Sequence, residues 1–236
     1  NTKDVQQRVL PTFPVVMGYG AGGSVMRNIG TFNPAMLVHG QQAVTLHREI
    51  PPEGTATVVG TLVAMYDKGK AAVVVTESDV TMDGEPLYST RSSAFIRGEG
   101  GWGGDRGPSG PQNEPPDRAP DHELTYKTSP DQALLYRLNG DRNPLHSDPS
   151  FAAAGGFPAP ILHGLCSYGF TGRALLHLLC DSDQAKFHHI EARFASPVFP
   201  GEALTIKAWN TADGEAVFTT SVGDRVVIDQ GLLKHG

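Results

Sequence analysis

Asp141 and His146 stand five positions apart in the run Asn139-Gly140-Asp141-Arg142-Asn143-Pro144-Leu145-His146-Ser147-Asp148-Pro149. On a continuous helix that spacing would turn the two side chains about 140° away from each other. Pro144 removes the helix, because a proline disfavours helical backbone at the residue before it, here Asn143. The segment must turn, and a turn is what brings a carboxylate and an imidazole to one place. Such a pair about a single water molecule is a working acid–base couple near neutral pH. Polar loops of this composition commonly serve only as turns, so the loop by itself does not assign catalysis.

The remaining histidines carry less. His163 precedes a glycine at the start of an apolar segment and reads as a structural residue bonded to backbone, as do His122, His177, His188 and His189. No HExxH or paired CxxC spacing is present, so the sequence offers no zinc pattern. The expectation is therefore no metal.

Around the loop the sequence supplies elements to hold it. Ser129-Pro130 is a helix start, with cap then proline, and the helix that follows stops at Asn139-Gly140. Asp148-Pro149 caps a second short helix, Ser150 to Ala154. From His163 to Cys180, Leu165, Tyr168, Gly169, Gly172, Leu175, Leu176 and Leu179 form the apolar stripe of a long helix. Glycines on that stripe predict close contact with a wrapping sheet. Gly164 opens this helix, where N–H groups are free and the macrodipole is positive.

The chain also repeats itself weakly. Gln42 to Ile50, a Pro51-Pro52 corner, Thr55 to Met65, a polar turn and Ala71 to Thr76 match His189 to Val198, a Pro200-Gly201 corner, Glu202 to Trp209, a turn and Ala216 to Val222. Each block follows an apolar, small-residue segment, Leu10 to Gly23 in the first half and His163 to Cys180 in the second. The plan predicts an α+β fold, a double hot dog of two antiparallel sheets each wrapped around a central helix. Residues 98–121 are rich in Gly, Pro and Asp and read as a linker between a first unit, 1–97, and a second, 122–236. Trp102 is the residue expected to anchor that linker.

The runs YRLNGDRNPLHSDP and GFPAPILHGLCSYGF closely resemble the signature of the hydratase 2 and MaoC-like dehydratase family, over about 35 nearly continuous residues. GTFNPAMLVHGQQ and ARFASPVFPGE resemble the two-domain form of the same family. Asn139 departs from the usual Ser or Thr, a change that leaves the helix stop intact. The two-domain form has a further N-terminal segment, and the first residue, Asn1, is not Met. The resemblance implies an (R)-specific 2-enoyl-CoA hydratase of fatty acid β-oxidation, with Asp141 and His146 activating water, Asn143 orienting it and the Gly164 N–H as oxyanion hole. It implies coenzyme A thioester as substrate, no cofactor, and a homodimer. The first half has no matching acid–base motif, so it is the half expected to house the acyl chain, along a helix containing Gly18 and Gly20. His39, Gly40 and Gln41 resemble the family's first-half motif and are candidates for contact near the coenzyme A tail; Arg193 and Lys207 are candidates for its phosphates. Two other readings remain: an acyl-CoA thioesterase, and a non-catalytic acyl-thioester-binding subunit.

Composition sets outer limits. A formal net charge of −6 over 236 residues argues against a nucleic-acid partner and means that an anionic ligand needs a local basic patch. No apolar run approaches the roughly 18 residues of a membrane helix. Cys166 and Cys180, about 21 Å apart along one helix, cannot pair, which suits a reducing compartment. Bacterial cytoplasm is favoured, or a peroxisome if the chain is a fragment of a eukaryotic multifunctional enzyme.

Overall fold

The computed structural model describes residues 3–17, 25, 29–110 and 112–236. Nine strands dominate it: β1 (Leu37–Leu46), β2 (Ala56–Asp67), β3 (Ala71–Met82), β4 (Glu85–Arg97), β5 (His122–Lys127), β6 (Phe187–Phe194), β7 (Ala203–Ala212), β8 (Glu215–Val222) and β9 (Arg225–His235). They form one antiparallel sheet in the order β2-β3-β4-β1-β6-β9-β8-β7-β5. The expectation of two separate sheets is therefore corrected. The halves share a seam in which β1 pairs with β6 from Gln41↔Arg193 to Thr45↔His189. The repeat read from the sequence has a counterpart in the sheet: β1 lies beside β4 in the first half, and β6 lies beside β9 in the second. Strands β4, β5 and β9 complete the sheet beyond the segments that the sequence marked.

Only the second half has the expected long helix among the described residues. Helix α3 (Gly164–Leu179) lies against β5, β6, β7 and β9. Its buried face carries Tyr168, Leu175 and Leu176 into a cluster with Phe187, Ile190, Leu204, Ile206, Phe218 and Leu233. Two polar contacts fix it there: Tyr168 Oη donates to the Ile190 carbonyl at 2.9 Å, and the Thr171 and Thr220 hydroxyls meet at 2.7 Å. Gly172 is needed for a close approach, but not of the sheet: a Cβ there would collide with the Thr12 side chain. In the segment from Leu10 to Gly23, the described residues hold a three-residue 3-10 turn, Phe13–Val15. Gly18 and Gly20 lie outside the described residues.

The 98–121 segment is tied down by Asp67 rather than by Trp102, which is half exposed. The buried Asp67 carboxylate accepts from the N–H groups of Gly69, Gly101 and Gly103 at 2.7–2.8 Å. Those bonds, the one from Gly101 foremost, hold its pKa below the usual carboxylate range.

Around the loop, helix α1 (Gln132–Tyr136) runs into a 3-10 turn, Arg137–Asn139, and stops at Gly140 with φ 112°. That left-handed value is one glycine adopts without strain. Ser129 Oγ accepts from Asp131 N–H at 3.2 Å, a cap slightly ahead of the helix itself. Helix α2 (Pro149–Ala154) is capped as the sequence predicts, by Asp148 Oδ1 accepting from Ser150 and Phe151 N–H.

Candidate active site

Asn143 has φ −53° and ψ 122°, the extended backbone that a following proline enforces, and a 3-10 turn follows at Pro144–His146. Two side chains hold the turn from within. Asp141 Oδ1 accepts from Asn143 N–H at 3.1 Å, and Asn143 Oδ1 accepts from Leu145 N–H at 3.0 Å. The turn delivers His146 beside Asp141. One ligand atom each from Asp141, His146 and His163 lies within 4.8 Å of the others.

The protonation pattern follows from the partners. His146 Nδ1 lies 2.8 Å from the Ile161 carbonyl oxygen, which can only accept, so Nδ1 carries the hydrogen and Nε2 is the free lone pair. Burial lowers the pKa of His146, leaving a neutral imidazole at neutral pH. His163 is 2% exposed and stacks on His146 with centroids 3.7 Å apart and planes inclined by 26°. Its Nε2 donates to the Asp141 backbone carbonyl at 3.3 Å, and the Tyr136 ring lies tilted against it with centroids 4.7 Å apart. Its Nδ1 is buried without a hydrogen-bond partner. His163, read from the sequence as structural, thus bonds to one member of the pair and stacks on the other. Stacked rings fit a metal poorly. At the roughly 2.1 Å reach of a Zn–N bond, an ion in the plane of one ring stays well outside the plane of the other.

Gly164 is the first residue of α3, so its N–H has no carbonyl one turn earlier in the helix to receive it. The absence of a Cβ serves packing: one built there would lie 3.2 Å from the Phe194 ring. These residues share one cavity of about 1080 Å³, whose wall includes Asp141, Asn143, His146, His163 and Gly164 together with strands of the first half. Cys166, two residues into the helix, is no nucleophile there, since burial pushes its thiol up to about 12.

The first-half candidates divide. His39 lines the cavity, with its ring 4.9 Å from Phe194 and its Nε2 donating to the Gln41 carbonyl at 2.9 Å. Protein encloses it although it meets the cavity. Burial lowers its pKa to about 4, against the smaller opposing pull of Asp141. It therefore shares the cavity wall with Asp141 and His146. Gly40 sits in a β-bulge, where the register with β4 shifts between His39 and Gln41 and a Cβ would crowd Ser93 Oγ at 2.8 Å. An extra residue in a strand moves the next side chains to the other face. Gln41 is consequently exposed, and Gln42, 4% exposed, lines the cavity in its place. A glycine inside a strand was the available signal. Arg193 does not line the cavity; its guanidinium pairs with Asp229 at 2.8 and 2.5 Å. Lys207 lies 3.8 Å from Glu123 at the opposite margin of the sheet, and it too is outside the cavity wall.

The buried rings make stability depend on pH. His39 and His163 each have a native pKa of about 4, below the ordinary 6.5. Between these values the unfolded chain binds protons that the native state refuses, so stability is lost as pH falls from about 6.5 toward 4. Urea midpoints are expected to drop between pH 7 and pH 5, and to drop less in a variant with both residues changed to Gln. An equal drop in that variant would contradict the assignment.

The fold and site define a MaoC-like hot-dog protein with an Asp–His pair lining a cavity. Residues 111–230 match the MaoC like domain, and residues 1–98 match the MFE-2 hydratase 2 N-terminal domain. The 3-hydroxyacyl-thioester dehydratase Y of Mycobacterium tuberculosis is 45% identical over 248 aligned residues, covering 100% of this chain and 84% of that protein. The peroxisomal enoyl-CoA hydratase 2 of Arabidopsis thaliana is 38% identical, covering 95% of this chain and 76% of that one. The MaoC-like dehydratase of Phytophthora capsici superposes with a TM-score of 0.89 at 35% identity, covering 97% of this chain and 83% of that structure. The chain belongs to the MaoC-like dehydratase and hydratase 2 family. Among the described residues no helix is long and apolar enough to cross a membrane.

Proposed function

We propose that the protein adds water to trans-2-enoyl-CoA to give (3R)-3-hydroxyacyl-CoA, and runs the reverse dehydration. The observation that carries this is the neutral His146 with Nε2 free, grouped with the Asp141 carboxylate in the wall of a cavity that also meets Gly164 at the start of α3. Asp141 holds a water and His146 Nε2 takes one of its protons. The hydroxyl bonds to Cβ, the electrons of the double bond move into an enolate, and Gly164 N–H stabilises the enolate oxygen. The proton returns through the pair to Cα. One water is consumed, with no change of oxidation state overall, so the chemistry requires no metal or redox cofactor. The NH2 of Asn143 is the part of its amide left to orient the water, since its Oδ1 caps the turn.

The two halves are read as a double hot dog whose sheets have merged at the β1–β6 seam, with chemistry in the second unit and the acyl chain in the first. Support comes from the cavity wall: Val74, Thr76, Ser78 and Val80 of β3 pair with Ala94, Ser92, Thr90 and Tyr88 of β4, and all eight face it. Thr90→Trp is expected to cut kcat/KM roughly tenfold or more for trans-2-decenoyl-CoA and to spare crotonyl-CoA. Equal losses on both would remove the acyl-chain assignment.

The activity itself is tested by loss of enoyl absorbance with crotonyl-CoA, coupled to chiral analysis of the product. A thiol reagent on a saturated acyl-CoA separates the thioesterase reading. The hydratase releases no coenzyme A, whereas release without hydration would overturn the proposal.

A further inference from the structure

The cavity is ordered along β4. Tyr88, Thr90, Ser92 and Ala94 face it at every second position, and Ala94 is the register partner of His39, which lines the same cavity as Asp141 and His146. Three residues further, about 10 Å along the strand, β4 ends at Arg97, which is exposed and still lines the same cavity. Its guanidinium carbon stands 5.7 Å from the ring centroid of Phe157, which lines the cavity from the segment preceding α3. Four other arginines are matched by carboxylates: Arg91 by Glu77, Arg118 by Asp121, Arg193 by Asp229 and Arg225 by Glu202. Among the described residues Arg97 is the one Lys or Arg in the cavity wall, and no carboxylate among them pairs with it. Lys70 adds a second exposed cation nearby, since Gly98 N–H donates to the Lys70 carbonyl at 2.8 Å and Arg97 pairs with Ala71.

We infer that Arg97, seated over Phe157 and seconded by Lys70, binds the phosphates of the coenzyme A end of the substrate; this rests on the hydratase reading above. In a molecule of net charge −6 an anionic carrier needs such a local cation. The order along β4 then follows the order of the substrate: acyl chain by Tyr88 and Thr90, thioester by Ala94 and His39, phosphates by Arg97. Arg193 and Lys207 do not serve, being ion-paired away from the cavity.

The test compares crotonyl-CoA with crotonyl-N-acetylcysteamine, the same thioester without phosphates, on the parent, Arg97→Ala and Arg97→Lys. The expected result is a rise of about tenfold in KM for the coenzyme A ester in Arg97→Ala, with loss on the phosphate-free ester absent and partial recovery in Arg97→Lys. Loss on both esters alike, or on neither, would overturn the inference. Calorimetric binding of free coenzyme A provides a readout independent of turnover, expected to weaken about tenfold in Arg97→Ala. If the parent hydrates neither ester the hydratase reading fails, while unchanged coenzyme A affinity in Arg97→Ala still sinks the Arg97 assignment separately.

Discussion

Changing Asp141 to Asn is expected to lower kcat for crotonyl-CoA hydration about a thousandfold, within the range for a lost acid–base group, with little change in the thermal midpoint. The size of the effect comes from charge, not shape. An asparagine keeps an oxygen where Asp141 Oδ1 accepts from Asn143 N–H, and its backbone carbonyl still receives His163 Nε2. The turn survives. What disappears is the negative charge that holds the water and favours a transient imidazolium on His146, on which Asp141 acts through space. A variant that retains full activity would remove Asp141 from the mechanism. A variant that loses activity and stability together would assign it to the fold.

The second large effect isolates a single N–H. Gly164→Pro is expected to cost 10²- to 10³-fold more in kcat than Gly164→Ala, the range for loss of one oxyanion donor. The pair of variants is informative because proline suits the first position of a helix, where its missing N–H is not used by the helix. His163 already has φ −56° and ψ 131°, which a following proline accepts. Both variants place a Cβ against Phe194, so crowding is common to them and the donor is the main difference. Equal rates in the two variants would mean that the enolate oxygen is held elsewhere.

How much of this was legible in the sequence depended on the range of the forces involved. The bend at Asn143-Pro144 was readable because a proline acts on its immediate neighbour, and α3 because its apolar stripe repeats along one element. The Gly140 stop and the Asp148 cap were readable for the same local reason. The single sheet was not, since it depends on Gln41 meeting Arg193 from the other half of the chain. Nor was the side to which Gln41 and Gln42 point, because the bulge at Gly40 exists only through pairing with β4. Arg193 looked like a free cation until Asp229 was placed beside it. His163 looked like an ordinary helix-start residue, and only the fold puts its ring on His146.

If one imidazole and one carboxylate on a single side of the double bond carry out the whole addition, then hydration of crotonyl-CoA in D2O has a defined stereochemical signature. The product should be (3R)-3-hydroxybutyryl-CoA with one deuterium at C2, on the face that received oxygen. NMR of the product reads both centres at once. A 3S product, or deuterium on the opposite face, would contradict the account.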